Sequence, residues 1–128
     1  MIDQLVIFDT AKLAKEKGFD IISRFGHEAS LYNKDGKHTY YSNYGFQYSG
    51  LSEGYIPAPT QSLLQRWLRE KHDIHIIVKV FWDSKTNNRT YAADIYKIGD
   101  KPIMRKRKVE STYEEALEQG LIEALKLI

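Results

Sequence analysis

The 128 residues include 19 lysines and arginines and 17 acidic residues, which gives a formal net charge of +2. Because the two signs nearly balance, the chain as a whole is not an electrostatic trap for polyanions, and any basic site has to be local. The absence of cysteine excludes disulfides, thiolate catalysis and cysteine-ligated zinc, and it fits a reducing compartment.

Length and composition also bound the fold. Hydrophobic residues make up 42% and charged residues 28% of the chain, close to the globular average and far from the composition of disordered chains. Apolar stretches such as residues 5–8 are much shorter than the roughly 20 residues of a spanning helix, and residues 1–4 carry an acid where a signal peptide is basic. We therefore expect a folded cytoplasmic protein without a membrane segment.

The N-terminal part begins with the signal of a short helix. Asp9 and Thr10 are residue types that cap helices, and residues 11–17 follow as two helical turns. Gly18 stands where a glycine can adopt the left-handed conformation that ends a helix. The sequence therefore predicts a helix over residues 11–17.

A hairpin is predicted next. The pair Asp35-Gly36 tolerates the positive φ of a tight turn and lies between residues 28–33 and 38–43, which have strand character. Residues 44–55 show no sustained period, which indicates a long ordered loop or an irregular strand.

The second helix is predicted to begin after Thr60, whose side chain can cap it. Apolar residues then recur at i, i+1, i+4 and i+5 and form one stripe, at Leu63, Leu64, Trp67 and Leu68. Because full burial of each large side chain contributes roughly 1.5–3 kcal/mol, we expect Trp67→Ala to be among the most damaging substitutions.

The C-terminal half continues with strands and a last helix. Residues 74–82 and 90–98 are rich in β-forming residues and flank a polar tip, residues 83–89, so they predict a long hairpin, to which residues 102–109 could add a third strand. Two overlapping capping boxes precede the helix, Ser111 with Glu114 and Thr112 with Glu115. Its apolar stripe comprises Leu117, Gly120, Leu121, Ala124, Leu125 and Ile128.

Both helical stripes need an apolar surface, and the simplest arrangement places both on one face of the sheet. The sequence thus predicts a two-layer α+β fold, with an antiparallel sheet of three to five strands and the helices packed on one face. We interpret residues 1–128 as a single domain. It comprises an N-terminal helix and hairpin, residues 1–58, and a helix–strand–strand–strand–helix unit, residues 59–128.

Two resemblances accompany these elements. The topology of residues 60–128 is similar to the double-stranded-RNA-binding domain, but that family has a lysine-rich cluster where this chain has the acidic segment STYEE, residues 111–115. The segments AKLAKEKGFD, PAPTQSLLQRWLRE and TYEEALEQGLIEALKLI resemble blocks of small uncharacterised proteins from phages and mobile elements of Bacteroidetes-type gut bacteria. This second resemblance implies a genomic context and no catalytic residues.

The densest basic run is residues 105–108. In a strand its side chains alternate between two faces, so a strand with one covered face would bury two charges, which favours an edge position in solvent. The alternative is a phosphate-contacting ridge with tyrosines as stacking surfaces. The candidate nucleic-acid-binding residues are Lys101, Arg105, Lys106, Arg107, Lys108, Lys85 and Arg89.

Other site patterns are weaker. Residues 50–54 match a Gly-x-Ser-x-Gly nucleophile elbow around Ser52, but no buried strand precedes it and no helix follows, so a loop is the better interpretation. His72 with His75, or His27 with His38, could bind a metal, but a solvent-facing pair near a helix C-terminus is the better interpretation of the first two. We predict no catalytic residue, no metal ligand and no cofactor.

One aromatic group could line a groove for a peptide, a sugar or a base, or it could cover the edge of the core beneath a loop. Its members are Tyr40, Tyr41, Tyr44, Phe46, Tyr48 and Tyr55.

These patterns favour a non-enzymatic accessory or interaction protein of a phage or mobile element, with an unidentified protein partner. The alternative is a small nucleic-acid-binding module that uses the basic strand. A hydrolase is the third hypothesis, and it requires a deep pocket that holds Ser52 beside a histidine.

Overall fold

The computed structural model describes residues 3–25, 28–42, 54–99, 103–105 and 109–128. The chain divides into two compact units, Met1–Thr60 and Gln61–Ile128. Each unit contains a four-stranded antiparallel sheet and at least one helix. The prediction of an α+β fold is therefore confirmed, whereas the interpretation as a single domain stays a prediction.

The first unit is built around a central strand. Its elements are α1 (Phe8–Glu16), β1 (Arg24–Phe25), β2 (Glu28–Tyr32), β3 (His38–Ser42) and β4 (Ile56–Pro57). β2 pairs antiparallel with the other three strands. The predicted hairpin is confirmed, since Gly36 has a φ of 85° in the turn between β2 and β3.

The start of α1 differs from the prediction. The helix begins at Phe8, and Ile7 occupies the N-cap without a side-chain hydrogen bond. The Val6 amide instead donates to the Pro59 carbonyl at 3.0 Å, so a contact with a distant segment fixes the entry to the helix. Gly18 has a φ of 100° just beyond the end of α1, as expected for a helix-terminating glycine.

The second unit follows the predicted order of elements. It comprises α2 (Gln61–His72), β5 (Ile74–Asp83), β6 (Asn88–Lys97), β7 (Ile103–Arg105), β8 (Val109–Glu110) and α3 (Tyr113–Leu125). β6 pairs with β5 along one edge and with β7 and β8 along the other, always antiparallel. The third strand predicted over residues 102–109 corresponds to β7 and β8, and residues 106–108 between them lie outside the described part of the chain.

Both helices of this unit pack on one face of its sheet, as predicted. In α3, a Cβ at Gly120 would lie 2.8 Å from the Ala93 Cβ and 2.9 Å from the Ile76 Cγ2, so glycine permits close contact between helix and strands. The Gln61 side chain of α2 donates to the Glu118 carboxylate of α3 at 2.9 Å. The α2 stripe is buried at Leu64, Trp67 and Leu68.

The beginning of α3 uses one of the two predicted caps. The Thr112 hydroxyl oxygen accepts from the Glu115 amide at 3.1 Å, which satisfies one of the amides left without a partner in the first turn. The Ser111 hydroxyl lies 3.5 Å from the Glu115 carboxylate and adds to the same cap.

Candidate interaction surface on the distal hairpin

The β5–β6 hairpin is long relative to the helices of its unit. Each strand has ten residues, which corresponds to about 33 Å at roughly 3.3 Å a residue. The helices have 12 and 13 residues, or about 18–20 Å at 1.5 Å a residue. Neither helix is therefore long enough to cover the hairpin along its whole length.

The base of the hairpin, residues 74–76 and 95–97, is buried on the helix face. Ile74 and Ile76 lie opposite Lys97 and Ile95, and all three isoleucines are buried. The Lys97 ammonium group donates to the Leu127 carbonyl at 2.9 Å just beyond α3. This end of the hairpin belongs to the hydrophobic core.

The distal hairpin, which we define as residues 77–91, leaves four large apolar side chains exposed. The exposed fractions are 47% for Ile77, 57% for Val80, 39% for Phe81 and 63% for Trp82. Isolated exposed apolar residues are common, but a cluster of them on one element marks an interaction site or an aggregation hazard. The distal hairpin is therefore the candidate functional site.

Cross-strand register assigns these side chains to two faces. Val80 lies opposite Tyr91 and Trp82 lies opposite Arg89, on the face that α3 covers at the base. Tyr91 also makes an edge contact with the ring of Tyr113, the first residue of α3, at a centroid distance of 6.3 Å. This face is an aromatic and aliphatic strip with a guanidinium group at its end.

Trp82 is held in place by a hydrogen bond rather than by burial. Its indole N–H donates to the Asn87 side-chain oxygen at 3.2 Å. Asn87 has a φ of 56°, a left-handed conformation that asparagine tolerates in turns. Because the ring is oriented before any partner arrives, binding would cost less side-chain entropy.

The opposite face carries Ile77, Lys79 and Phe81. The Lys79 ammonium group lies 2.7 Å from the Asp94 carboxylate, whose side chain is only 2% exposed. A buried carboxylate requires charge compensation and hydrogen bonds, so Lys79 has a structural role in the middle of the hairpin.

β5 also forms an edge of the sheet. The Ile98 amide donates to the Asp73 carbonyl at 3.0 Å. In the β5–β6 register, the backbone groups of the odd-numbered residues of β5 therefore point toward β6. The Gln65 side chain donates to the Ile76 carbonyl at 3.0 Å, as expected if even-numbered carbonyls point away from β6. The alternation of an antiparallel ladder then directs the backbone groups of Val80 and Trp82 outward. Among the described strands, none pairs with this edge.

The predicted nucleic-acid-binding residues are divided. Lys85 and Arg89 are exposed on the distal hairpin, where the Lys85 amide donates to the Asp83 carboxylate at 3.0 Å. Arg105 ends β7 and is paired with Ile95. Four further members lie outside the described residues, namely Lys101, Lys106, Arg107 and Lys108.

The candidate nucleophile and part of the aromatic group also lie outside the described residues. These positions are Ser52, Tyr44, Phe46 and Tyr48. Of the remaining rings, Tyr41 and Tyr55 make an edge contact at 4.9 Å. Burial raises the pKa of Tyr41, and the neighbouring Tyr55 hydroxyl raises it further.

The histidines are distributed over separate environments. His72 is partly exposed, and its ring also lies 4.8 Å from the ring of Trp67. His75 is 2.7 Å from the Asp73 carboxylate, and His38 is 2.9 Å from the Ser30 hydroxyl. His27 lies outside the described residues. Over the described ranges, no group of three or more His, Cys, Asp or Glu is arranged to hold a metal ion.

Sequence reasoning did not single out the exposed apolar residues of β5. The local pattern of residues 74–82 is that of a buried strand, and Val80 differs little in type from Ile76. A usable signal lay in the element lengths, because the predicted strands were longer than the predicted helices that cover them.

No protein-family model matches the chain, and no curated protein or solved structure matches it either. Within the described part of the chain, no helix has the length and apolar character that crossing a membrane requires. Function is therefore argued from the residues of the distal hairpin.

Proposed function

We propose that this chain is a non-enzymatic interaction protein that contacts a protein partner through its distal hairpin. The observation that supports this function is a contrast within one strand. Ile76 is 5% exposed, whereas Trp82, on the same face of β5, is 63% exposed. A strand whose outer half offers unburied apolar groups is suited to completing its burial against another molecule.

The chemistry of the distal hairpin fits a protein partner. Aromatic residues and arginine are enriched at protein–protein interfaces, and tryptophan, tyrosine and arginine supply most binding hot spots. Trp82, Arg89 and Tyr91 lie together on one face of the hairpin. We expect Trp82 to be the main anchor.

The setting that we propose is the cytoplasm of a bacterium that carries a phage or mobile element. The segments that resemble small phage and mobile-element proteins support this context, and the absence of cysteine is consistent with a reducing compartment. The role within that setting would be accessory, through binding rather than through catalysis.

A nucleic-acid-binding module is the second candidate function. Arg89 lies directly across the strands from the exposed ring of Trp82, and Lys85 lies at the tip between the two strands. A stacking ring beside cationic side chains is the arrangement that binds single-stranded nucleic acid without sequence preference.

The two candidates are separated by affinity capture from a Bacteroidetes-type bacterial lysate to which the untagged chain has been added, with and without nuclease. The test variant is Val80→Ser with Trp82→Ser, and the matched control is Ile98→Ser, which alters a residue that is 48% exposed near the base of the same hairpin. We expect the wild type and the control to retain a protein that the double variant loses, with no effect of nuclease.

Equal retention by the double variant would refute the interaction surface. Retention that disappears with nuclease and with Arg89→Glu would support the nucleic-acid-binding module instead.

A further inference from the structure

We infer that the partner of the distal hairpin is a second copy of this chain, with β5 of one copy paired antiparallel to β5 of the other. The two four-stranded sheets of the C-terminal units would then join across a two-fold axis. This inference rests on the proposed function of the distal hairpin and names the partner of that same surface.

The backbone of β5 provides the first argument. The N–H and C=O groups of Val80 and Trp82 point away from β6, as the bonds at Asp73 and Ile76 indicate. Exposed strand edges of this kind are templates for pairing with another strand. No described strand covers this edge, and its side chains are exposed from Lys79 to Asp83.

The side chains of residues 79–83 provide the second argument, because the segment KVFWD is complementary to itself. If an antiparallel pair is centred on Phe81, then Lys79 lies opposite Asp83 of the second copy. Val80 lies opposite Trp82, and the two Phe81 rings face each other across the axis. Each charge meets its opposite, and each apolar residue meets an apolar residue.

Neighbouring registers lack this complementarity. A pair centred on Lys79 would place two ammonium groups directly opposite each other, and like charges in that position are destabilising. A pair centred on Val80 would place Asp83 opposite Ile77 and leave the carboxylate without a cross-strand cation. The register centred on Phe81 is therefore the one that the charges select.

The ion pair of Lys79 with Asp94 is compatible with this arrangement. A lysine ammonium group has three donors, and the Lys79 side chain is partly exposed although it contacts the buried carboxylate. It can therefore contact a second carboxylate, from Asp83 of the other copy, without leaving Asp94.

Self-complementarity favours a second copy over a different protein. A two-fold interface brings the same patch of each copy together, so each residue must suit its own symmetry partner. A foreign strand would impose no such condition on residues 79–83. Because the segment is short, we expect an interface of the small class, below about 1,200 Å², and hence a dimer that depends on concentration.

Single cysteines test the pairing directly, since the chain has no cysteine of its own. Phe81→Cys would place two thiols across the axis at a Cα separation of about 4.5 Å, which lies within the range that disulfides span. The matched control is Ile77→Cys, on the same strand and face and similarly exposed. In the proposed register, the two control thiols lie roughly 26 Å apart along the strand.

We expect Phe81→Cys to form disulfide-linked dimers about a hundredfold faster than Ile77→Cys in dilute solution, because pairing raises the effective thiol concentration. Non-reducing electrophoresis measures the rates. Equal rates for the two variants would overturn the inference, and so would faster cross-linking of Val80→Cys, which would indicate a different register.

Sedimentation of the wild-type protein, which has no cysteine, supplies the second readout. We expect its mass to rise toward that of a dimer with concentration. Asp83→Lys should abolish the rise because it places two cations opposite each other, whereas Asp83→Asn should only weaken it. A mass that stays monomeric would overturn the inference.

The proposed function can survive that outcome. Capture of a different protein that still requires Val80 and Trp82 would support the interaction surface while excluding the second copy. If the double variant changes neither the mass nor the capture, both proposals fail.

Discussion

The base and the distal half of the β5–β6 hairpin share one ladder of hydrogen bonds but differ in what covers them. At the base, Ile76 lies beneath Gly120 of α3 and is buried. In the distal half, Val80 and Trp82 continue the same face of the same strand and are exposed. Strand pairing is therefore satisfied along the whole hairpin, whereas on the helix face burial is satisfied only where a helix lies on the sheet.

This difference shows that regular secondary structure and core formation are set by different parts of the sequence. Pairing of β5 with β6 follows from local β-propensity and from the tip between the strands. Burial depends on the lengths of α2 and α3, which lie elsewhere in the chain. A strand that extends beyond its helices becomes a surface, and here that surface is apolar.

The two tryptophans give the largest test of the comparison. Trp67, on the buried stripe of α2, is 6% exposed, and its replacement by alanine should lower the free energy of unfolding by about 3–5 kcal/mol. Trp82→Ala removes an exposed ring of the same size and should change stability by about 0.5 kcal/mol or less. Urea unfolding followed by circular dichroism measures both. Similar losses of stability for the two variants would contradict the assignment of Trp67 to the core and Trp82 to the surface.

Much of the fold could be predicted because local patterns are strong where helices meet the sheet. The periodic stripe of α3 and the cap at Thr112 lie where the sequence places them. The start of α1 could not be predicted, because the bond between Val6 and Pro59 joins segments that are distant in sequence.

The candidate site was predicted only at its charged residues. Lys85 and Arg89 could be named because basic side chains stand out in a turn. Val80 and Trp82 could not be named, because exposure of an apolar side chain is a property of the packed molecule and not of its neighbours in sequence. The contrast between base and distal half thus marks the limit of local reasoning here.

The ion pair between Lys79 and the buried Asp94 tests whether a polar contact stabilises the middle of the hairpin. Lys79→Met would remove the ammonium group that contacts the buried Asp94 carboxylate, and we expect a loss of about 1–3 kcal/mol in unfolding free energy. Adding Asp94→Asn should recover part of the loss, because the buried negative charge that Lys79 contacts is then removed. Lys126→Met is the matched control, since its exposed pair with Glu123 should contribute no more than about 0.5 kcal/mol.

Gly120→Ala tests how closely α3 packs against the base of the β5–β6 hairpin. Alanine at this position would overlap Ala93 and Ile76, and the cost of overpacking should exceed the gain in helix propensity by about 1 kcal/mol. Gly99→Ala is the control, because among the described residues beyond its chain neighbours no atom lies within 4 Å of the added Cβ. If the two variants unfold at the same urea concentration, α3 does not lie as close to the sheet as the structure has it.

The smallest expected effect concerns pH at the end of α2 next to the base. Burial lowers the pKa of His72 below its ordinary value of 6.5, and the positive charges of Lys97 and Lys71 lower it further. The unfolded chain therefore binds a proton at a higher pH than the folded chain does. The stability that neutral His72 provides is present above pH 6.5 and is lost as the pH falls through that value toward the folded-state pKa.

His72→Gln should flatten this dependence without abolishing it, because burial also lowers the pKa of His38 in the first unit. The measurement is the difference in unfolding free energy between the wild type and the variant at about pH 8 and about pH 5.5. If protonation of His72 stabilised the fold, the wild type would gain stability relative to the variant at the lower pH instead of losing it. That result would show that the dipole at the C-terminus of α2, which favours a cation, outweighs burial beside Trp67 and the two lysines.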